Sequence, residues 1–403
     1  MKEKVDSSIL RVILENSEED VNPSCVHGPT ILFERIPKSN NFDNGDVKRK
    51  SIQFYACSAF RDRKKCNFYQ MKSEKKNSIS KTSKLKAFDV KFVKNPTAFC
   101  KTCQILLQFV ENHERHDLIR SQFSTPSKLL SVLDDSKSQA QFHFSCESTL
   151  VMVKAVLSQD PSLVLCIGTP SIFEEISKNH PNKKVLLLDI DQRYAMFTEN
   201  FCHFNMFNHY FFNENSLSKY KSEIASNHNS VAVITDPPFG GRPELISNTL
   251  KKIKEDFKPN NFTAFWIFPY YMEPQIVHNP SNLKFQMSDY QVTYDQKSQY
   301  KQGHQFQGRR KLGSPVRIFT TMSLSFLDLS HLENYRLCQT CSKFVILTNR
   351  HCHECGFCTA KNGGFYKHCY ECRKCVKRSW SHCKKCRRCT LPNHDQCALQ
   401  KLI

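Results

Sequence analysis

Val231-Ala232-Val233-Ile234-Thr235-Asp236-Pro237-Pro238-Phe239 is the stretch on which the reading of this chain turns. Its first five residues form a short apolar run of the kind buried on both faces of a parallel sheet. Pro237 and Pro238 then stop the strand and stiffen the turn at its carboxyl end. Open α/β sheets hold their ligands at such ends. The turn offers a carboxylate at Asp236, a backbone carbonyl at Pro237 and a flat apolar ring at Phe239. Those are two acceptors for N–H and one stacking surface, the set needed to hold a planar amine for alkylation at nitrogen. Asp and Pro also end ordinary strands, so the flanking sequence has to decide.

The tetrapeptide resembles the catalytic Asp/Asn-Pro-Pro-aromatic motif of S-adenosylmethionine-dependent amino-methyltransferases, and the upstream strands agree with it. Leu163-Val164-Leu165-Cys166-Ile167 runs into Gly168-Thr169-Pro170, where a residue without a side chain lets the backbone approach a ligand. A helical stretch follows over 171–179. Lys184-Val185-Leu186-Leu187-Leu188-Asp189-Ile190-Asp191 reads as a second buried strand ending in carboxylates, where an acid commonly takes a ribose hydroxyl pair. Thr263 to Phe268 predicts another strand, leading into Pro269-Tyr270-Tyr271. The expectation is an α/β protein: a Rossmann-like class I methyltransferase core over residues 120–330, flanked by zinc-stabilised small domains.

Twenty cysteines in 403 residues could suggest disulfides. Most, however, lie in Cys-x2-Cys pairs among histidines, behind an amino terminus rich in Lys, Glu, Asp and Ser. That pattern predicts zinc in an intracellular protein. Residues 1–20 are acidic-polar and read as disordered. Over 21–95, Cys25, His27, Cys57 and Cys66 make one four-ligand set. Gly28-Pro29-Thr30, Phe54 to Ser58, Arg61 to Arg63 and Cys66-Asn67-Phe68 around it resemble a GRF zinc finger. Over 96–119, Cys100, Cys103, His113 and His116 make a second set around Ile105, Leu106, Leu107 and Phe109.

From Cys338 onward there are twelve cysteines and five histidines. Without His353 they divide into interleaved Cys-Cys-His-Cys sets over 335–399. The first is Cys338, Cys341, His351 and Cys358; the second is Cys352, Cys355, His368 and Cys375. The third is Cys369, Cys372, His382 and Cys389, with the first set's offsets, and the last is Cys383, Cys386, His394 and Cys397. Each set begins inside its predecessor, so the chain is expected to zigzag between metals. The pattern resembles the zinc scaffold of DHHC-type palmitoyl transferases, but Asp-His-His-Cys is missing and no run is long enough to span a membrane, which argues against acyl transfer. Six structural zinc ions are expected in all.

The formal net charge of +20 predicts a polyanionic partner. From Arg61 to Lys94 there are twelve Lys/Arg against three Asp/Glu, with Phe60, Phe68 and Tyr69 placed for stacking on bases. The segment from Cys338 is formally +10, and +6 once twelve thiolates and four Zn²⁺ are counted. It carries Lys384, Lys385, Arg387 and Arg388 together, and Trp380 among Lys377, Arg378 and His382. Lys297 to Arg317 adds six Lys/Arg without an acid, reading as a loop near the site that clamps a phosphate backbone. Residues 70–86, rich in Lys and Ser, read as a flexible linker or insertion.

With both fingers, the Asp-Pro-Pro-Phe core and the zinc tail in one order, the chain resembles a family over about Pro23 to Cys397. It is that of the eukaryotic ribosomal RNA adenine-N6 methyltransferases named for a CCHC zinc knuckle. The most specific stretches are Cys57 to Phe68, Cys166 to Pro170, Leu187 to Asp191, Cys202 to His209, Thr235 to Gly241 and Ser314 to Phe319. The resemblance implies S-adenosyl-L-methionine as cofactor, ribosomal RNA of the large subunit as partner and substrate, and the nucleus and nucleolus as location. It implies catalysis by Asp236, Pro237, Pro238 and Phe239, and a cofactor pocket lined by Gln141, Phe142, His143, Phe144, Gly168, Asp189, Asn205 and Asp236. The knuckle itself, Cys-x2-Cys-x4-His-x4-Cys, occurs nowhere in these residues, which puts its RNA contact in doubt. Two rivals are a protein glutamine methyltransferase and an inactive RNA-binding zinc protein; the zinc modules with their basic excess, and the intact motif, count against them in turn.

Overall fold

The computed structural model describes residues 9–14, 22–36, 51–60, 63–74, 90–110, 113, 117–121, 123–131, 143–279, 281–295, 313–392 and 394. Its centre is one sheet built from the strands β1 (Leu163–Ile167), β2 (Lys184–Asp189), β3 (Phe201–Asn205), β4 (Tyr210–Phe211), β5 (Ser230–Thr235), β6 (Asn261–Pro269), β7 (Gln286–Met287) and β8 (Val316–Thr320). They lie in the order β4-β3-β2-β1-β5-β6-β8-β7. β3, β2, β1, β5 and β6 run parallel, while β8 returns antiparallel against β6. The chain order reverses between β1 and β5, so the ligand crevice of this sheet opens there.

β1 is buried along its whole length, as is the apolar part of β5, because helices cover both faces. The helices α1 (Cys146–Leu157) and α2 (Pro170–Asn179) pack on one side, placing Met152, Val156, Ile172 and Ile176 against Val164, Cys166, Leu187 and Ile234. α3 (Glu214–Ala225) and α4 (Pro243–Phe257) cover the other, placing Tyr220, Leu250 and Ile253 against Leu165, Leu188, Val233 and Trp266. α1 begins at Ser145, whose side chain accepts from the Ser148 N–H, and α3 begins at Asn213 in the same way from Ser216. α2 and α4 each carry proline in the first turn, where its missing N–H costs nothing.

The amino-terminal region corrects one expectation. Ile9–Ile13 is not disordered: it pairs antiparallel with Ile31–Ile36, as the edge of a four-stranded sheet completed by Ile52–Ala56 and Tyr69–Met71. The apolar run Ile9 to Leu14 was the signal: Val12 packs on the Ile31, Phe33, Phe54 and Leu245 cluster, and Arg242 donates to the Leu10 carbonyl. The expected linker is corrected at its start, where Gln70 and Met71 belong to the strand Tyr69–Met71, and its residues 75–86 lie outside the described residues.

The carboxyl-terminal segment is a row of four hairpins: Tyr335–Cys338 with Lys343–Ile346, His351–Cys352 with Phe357–Cys358, Tyr366–Cys369 with Lys374–Lys377, and Ser381–Cys383 with Arg388–Thr390. The first docks on the core. The Tyr335 hydroxyl accepts the Gln291 N–H at 2.9 Å, while buried Asp289 accepts from the Ile346 N–H and the Asn349 amide. Arg317, in β8, is fully buried and donates to the carbonyls of Ser314, Val316 and Lys361. This corrects the basic-loop expectation at its last residue. Arg317 ties the zinc tail to the sheet instead of reaching for phosphate, and residues 296–312 lie outside the described residues.

Candidate active site and zinc centres

The Asp236 turn follows directly from β5, and its neighbour across the crevice is the end of β1. Ile167 pairs in register with Thr235, and the Asp236 N–H reaches the Ile167 carbonyl at 3.4 Å. Gly168 sits beside them with φ +65°, its N–H bonded to the Leu188 carbonyl at 3.0 Å. A Cβ on Gly168 would lie 2.9 Å from the Met206 methyl, and the positive φ strains any side chain at this position. The turn closes on itself where the Gly241 N–H meets the Pro238 carbonyl at 2.6 Å. Phe239 remains 38% exposed at the mouth, edge-on to Phe268 at 6.0 Å, and so keeps a ring face for an incoming base.

Tyr294 carries no motif and was missed in the sequence, yet it completes the site. Its hydroxyl donates to the Asp236 carboxylate at 3.2 Å. Its ring stacks on Phe144 at 5.1 Å and meets Phe239 edge-on at 6.3 Å. The bridge between Phe144 and Tyr294, and the Asp295 N–H bonded to the His143 carbonyl, hold these two segments together. Burial of the carboxylate pushes Asp236 well above the ordinary carboxylate range although part of the residue stays accessible, while the Tyr294 hydrogen bond pulls the other way. Tyr294 is itself raised by burial and then by the adjacent Asp236 charge.

Asp189 ends β2 as expected and is buried, accepting the Asp191 N–H at 2.9 Å. Burial first, then the Asp191 charge, raises it to about 7. Asp191 is held by Arg193, which also donates to Gln104 of the second finger and to the Ser131 carbonyl. His143 lies at the rim with its pKa lowered by burial. Gln141 and Phe142 lie outside the described residues. Asn205 ends β3, but its amide N–H groups go to the His27 carbonyl at 3.0 Å and the Ser58 hydroxyl at 2.9 Å, and its oxygen accepts the Phe207 N–H. Its side chain is a joint to the first finger, with one carbonyl lone pair left over. Gly168 and Asp189 fit the cofactor through a side-chain-free cradle and a buried carboxylate; the side chain of Asn205 faces elsewhere.

The zinc ligands converge much as their spacing predicts. Cys25, His27, Cys57 and Cys66 come together, as do the first, second and third sets of the tail. Cys57 lies 3.5 Å from His27 Nδ1, Cys341 3.2 Å from His351 Nδ1, and Cys355 3.8 Å from Cys375. A tetrahedral zinc with bonds of about 2.3 Å to sulfur and 2.0 Å to nitrogen has edges of about 3.5–3.8 Å. Cys100, Cys103 and His113 also converge, and His116 lies outside the described residues. In the last set Cys386 meets His394 Nε2 at 3.1 Å, and Cys397 lies outside the described residues. His353 stands aside as an edge-on ring neighbour of His351.

The interleaving has a simple cause. Adjacent residues of a strand face opposite sides. His351/Cys352, His368/Cys369 and His382/Cys383 are such neighbours, so each pair serves two metals. The second ligand of the earlier metal sits straight across the hairpin, since His351 pairs with Cys358, His368 with Cys375 and His382 with Cys389. In the first hairpin the equivalent pair is Leu337 with Phe344, and the row starts there against the core. The residue after each Cys-x2-Cys takes a positive φ: Gln104 +57°, Ser342 +49°, Gly356 +73°, Arg373 +48° and Arg387 +51°. Only one of them is glycine.

Comparison with known proteins agrees with this geometry. Residues 135–312 match a family model described as probable N6-adenine methyltransferase. The chain is 38% identical to the rRNA N(6)-adenosine-methyltransferase ZCCHC4 of Homo sapiens, over 96% of this chain and 81% of that protein. Proteins of the same name from Xenopus laevis and Mus musculus are 38% and 36% identical, over 85% and 86% of this chain and 75% and 73% of theirs.

Proposed function

The chain belongs to the family of rRNA N6-adenosine methyltransferases, and from that premise we propose how its own residues methylate the exocyclic nitrogen of an adenosine in ribosomal RNA of the large subunit. The observation that carries the assignment is the Asp236 turn facing Gly168 across the reversal of strand order. S-adenosylmethionine supplies an electrophilic methyl group. Gly168 would give it backbone without a side chain, Asp189 would accept from its ribose hydroxyls, and Phe144 with His143 would close the pocket rim.

Adenine N6 is a weak nucleophile because its lone pair is conjugated with the ring. Two acceptors, the Asp236 carboxylate and the Pro237 carbonyl, draw its N–H groups out of that plane and free the lone pair. Phe239 stacks on the base, which has to be unpaired or flipped to reach the turn. The N–C bond forms as the S–C bond breaks, the electron pair stays on sulfur, and the methylated amine releases a proton to water. Alignment of nitrogen with the methyl provides much of the acceleration. The zinc ions are structural.

The basic tail and fingers hold ribosomal RNA, and we assign the nucleolus as the place of action on the ground of that substrate. Among the described residues no helix is long and apolar enough to cross a membrane. Deletion of the protein, followed by mapping of N6-methyladenosine across all RNA, tests the proposal. It predicts the loss of methylation at an adenosine of the large-subunit RNA; unchanged ribosomal RNA with altered protein glutamine methylation would transfer the case to the rival substrate.

A further inference from the structure

The loop after β3, residues 205–209, touches three things at once. Met206 lies against Gly168 at the cofactor edge. Phe207 lies against Gly241, where a Cβ would come within 2.8 Å of its ring, so it backs the Asp-Pro-Pro-Phe turn. Thr249 of α4 donates to the Met206 carbonyl at 2.8 Å. On its far side the same loop grips the first zinc finger through backbone. Asn205 donates to the His27 carbonyl, and Asn208 donates to the carbonyls of Pro29 at 2.8 Å and His27 at 3.2 Å. Gly28, between them, has φ +93° and lies under the Tyr210 ring, where a Cβ would come within 2.5 Å.

The gripped carbonyl belongs to His27, a zinc ligand. The hairpin of Ser24–Cys25 with Gly28–Pro29 already restrains residues 27–29, and a metal shared by Cys25, His27, Cys57 and Cys66 would fix them further by tying His27 to the rest of the finger. The loop they anchor in turn sets the distance between Met206 and Gly168 and between Phe207 and Gly241. We propose that the first zinc finger is a wall of the reaction site, with Asn205 and Asn208 as positioning residues that couple its zinc to binding of the cofactor. This rests on the reading of Gly168 and Asp236 given above. Coupling between sites is reciprocal: if the zinc-ordered finger favours the cofactor, the bound cofactor holds the zinc by the same factor.

The test uses the full chain and S-adenosylhomocysteine, which binds without reacting. Under a zinc chelator and N-ethylmaleimide, the alkylation of each cysteine is followed by peptide mass spectrometry. Saturating S-adenosylhomocysteine is expected to slow modification of Cys25, Cys57 and Cys66 about tenfold, with the tail cysteines Cys369, Cys372 and Cys389 unchanged as internal reference. Asn208→Asp replaces the donor by a carboxylate facing two carbonyls. It is expected to keep its zinc count, to bind S-adenosylhomocysteine about tenfold more weakly, and to lose the protection. Equal alkylation rates with and without bound S-adenosylhomocysteine in the wild type overturn the coupling and leave the functional reading intact. So does an Asn208→Asp protein with wild-type affinity. A wild-type protein that binds no S-adenosylhomocysteine refutes the functional reading and the coupling with it.

Discussion

The methyltransferase core and the zinc tail are folded by opposite means. In the core, β1, β2, β5 and β6 are buried under helices on both faces, and fully burying one such Leu, Ile or Phe contributes roughly 1.5–3 kcal/mol. In the tail, Cys338, Val345 and Cys358 form the only apolar cluster among the described residues, and Val376 is buried singly. Metal takes the place of a core there, at about 10 kcal/mol or more per structural site. The lesson is that one chain holds a region with its own apolar core and a region built around metal ligands, joined by Arg317, Asp289 and Tyr335.

Chelation breaks the comparison most strongly. Native mass spectrometry is expected to count six zinc ions, two before residue 120 and four after residue 337. Stripping them should abolish amide-exchange protection over 335–392 while β1 and β5 stay protected. A tail that keeps its protection without metal would contradict the division.

Within the core, Asp236→Ala removes an acceptor from the reacting amine and should lower methyl transfer about a hundredfold or more, with zinc content and fold unchanged. Phe239→Ala removes a stacking face worth roughly 1–3 kcal/mol and should impair turnover without ending it. Wild-type turnover by either variant would move the site elsewhere.

Acid strength gives a smaller, sharper effect. Because burial raises the folded-state pKa of Asp236, its carboxylate form, and with it activity, is lost as pH falls through a value above the ordinary carboxylate range. The acidic limb of the rate profile should therefore lie above that range. Tyr294→Phe removes the hydrogen bond that favours the carboxylate, and should move the limb further up. Asp236→Asn, an acceptor that does not titrate, should keep part of the activity and lose the limb. The same raised value costs stability as pH rises above the unfolded-state pKa, so Asp236→Asn should also unfold at higher temperature at neutral pH. An unmoved limb in Tyr294→Phe would disconnect the pair.

The smallest change belongs to the tail surface. Arg387→Glu with Arg388→Glu should weaken RNA binding chiefly at low salt, through lost phosphate contacts, without changing zinc content. Unaltered affinity at low salt would make the tail a scaffold.

The same contrast explains what could be read from sequence. The strands declared themselves because parallel strands buried on both faces are continuous apolar runs, and the zinc sets because ligand offsets are periodic. Tyr294 stayed hidden: it stands 58 residues from Asp236 in a stretch without periodicity, and only the fold brings them together. Asn205 came only from the family resemblance, and the partner that takes its amide, His27, is 178 residues away. Arg317 looked like surface charge because it follows a basic loop; in the fold it is an inward strand position whose guanidinium donates to three carbonyls. Ile9–Ile13 was hidden by polar neighbours that outweigh five residues in composition.

The central claim is chemical, and one measurement reaches it directly. Purified wild-type protein is incubated with methyl-tritiated S-adenosylmethionine and ribosomal RNA, and the RNA is digested to nucleosides. The account predicts tritium in N6-methyladenosine. Tritium confined to protein, or no transfer to RNA by a protein carrying its full zinc, would contradict it.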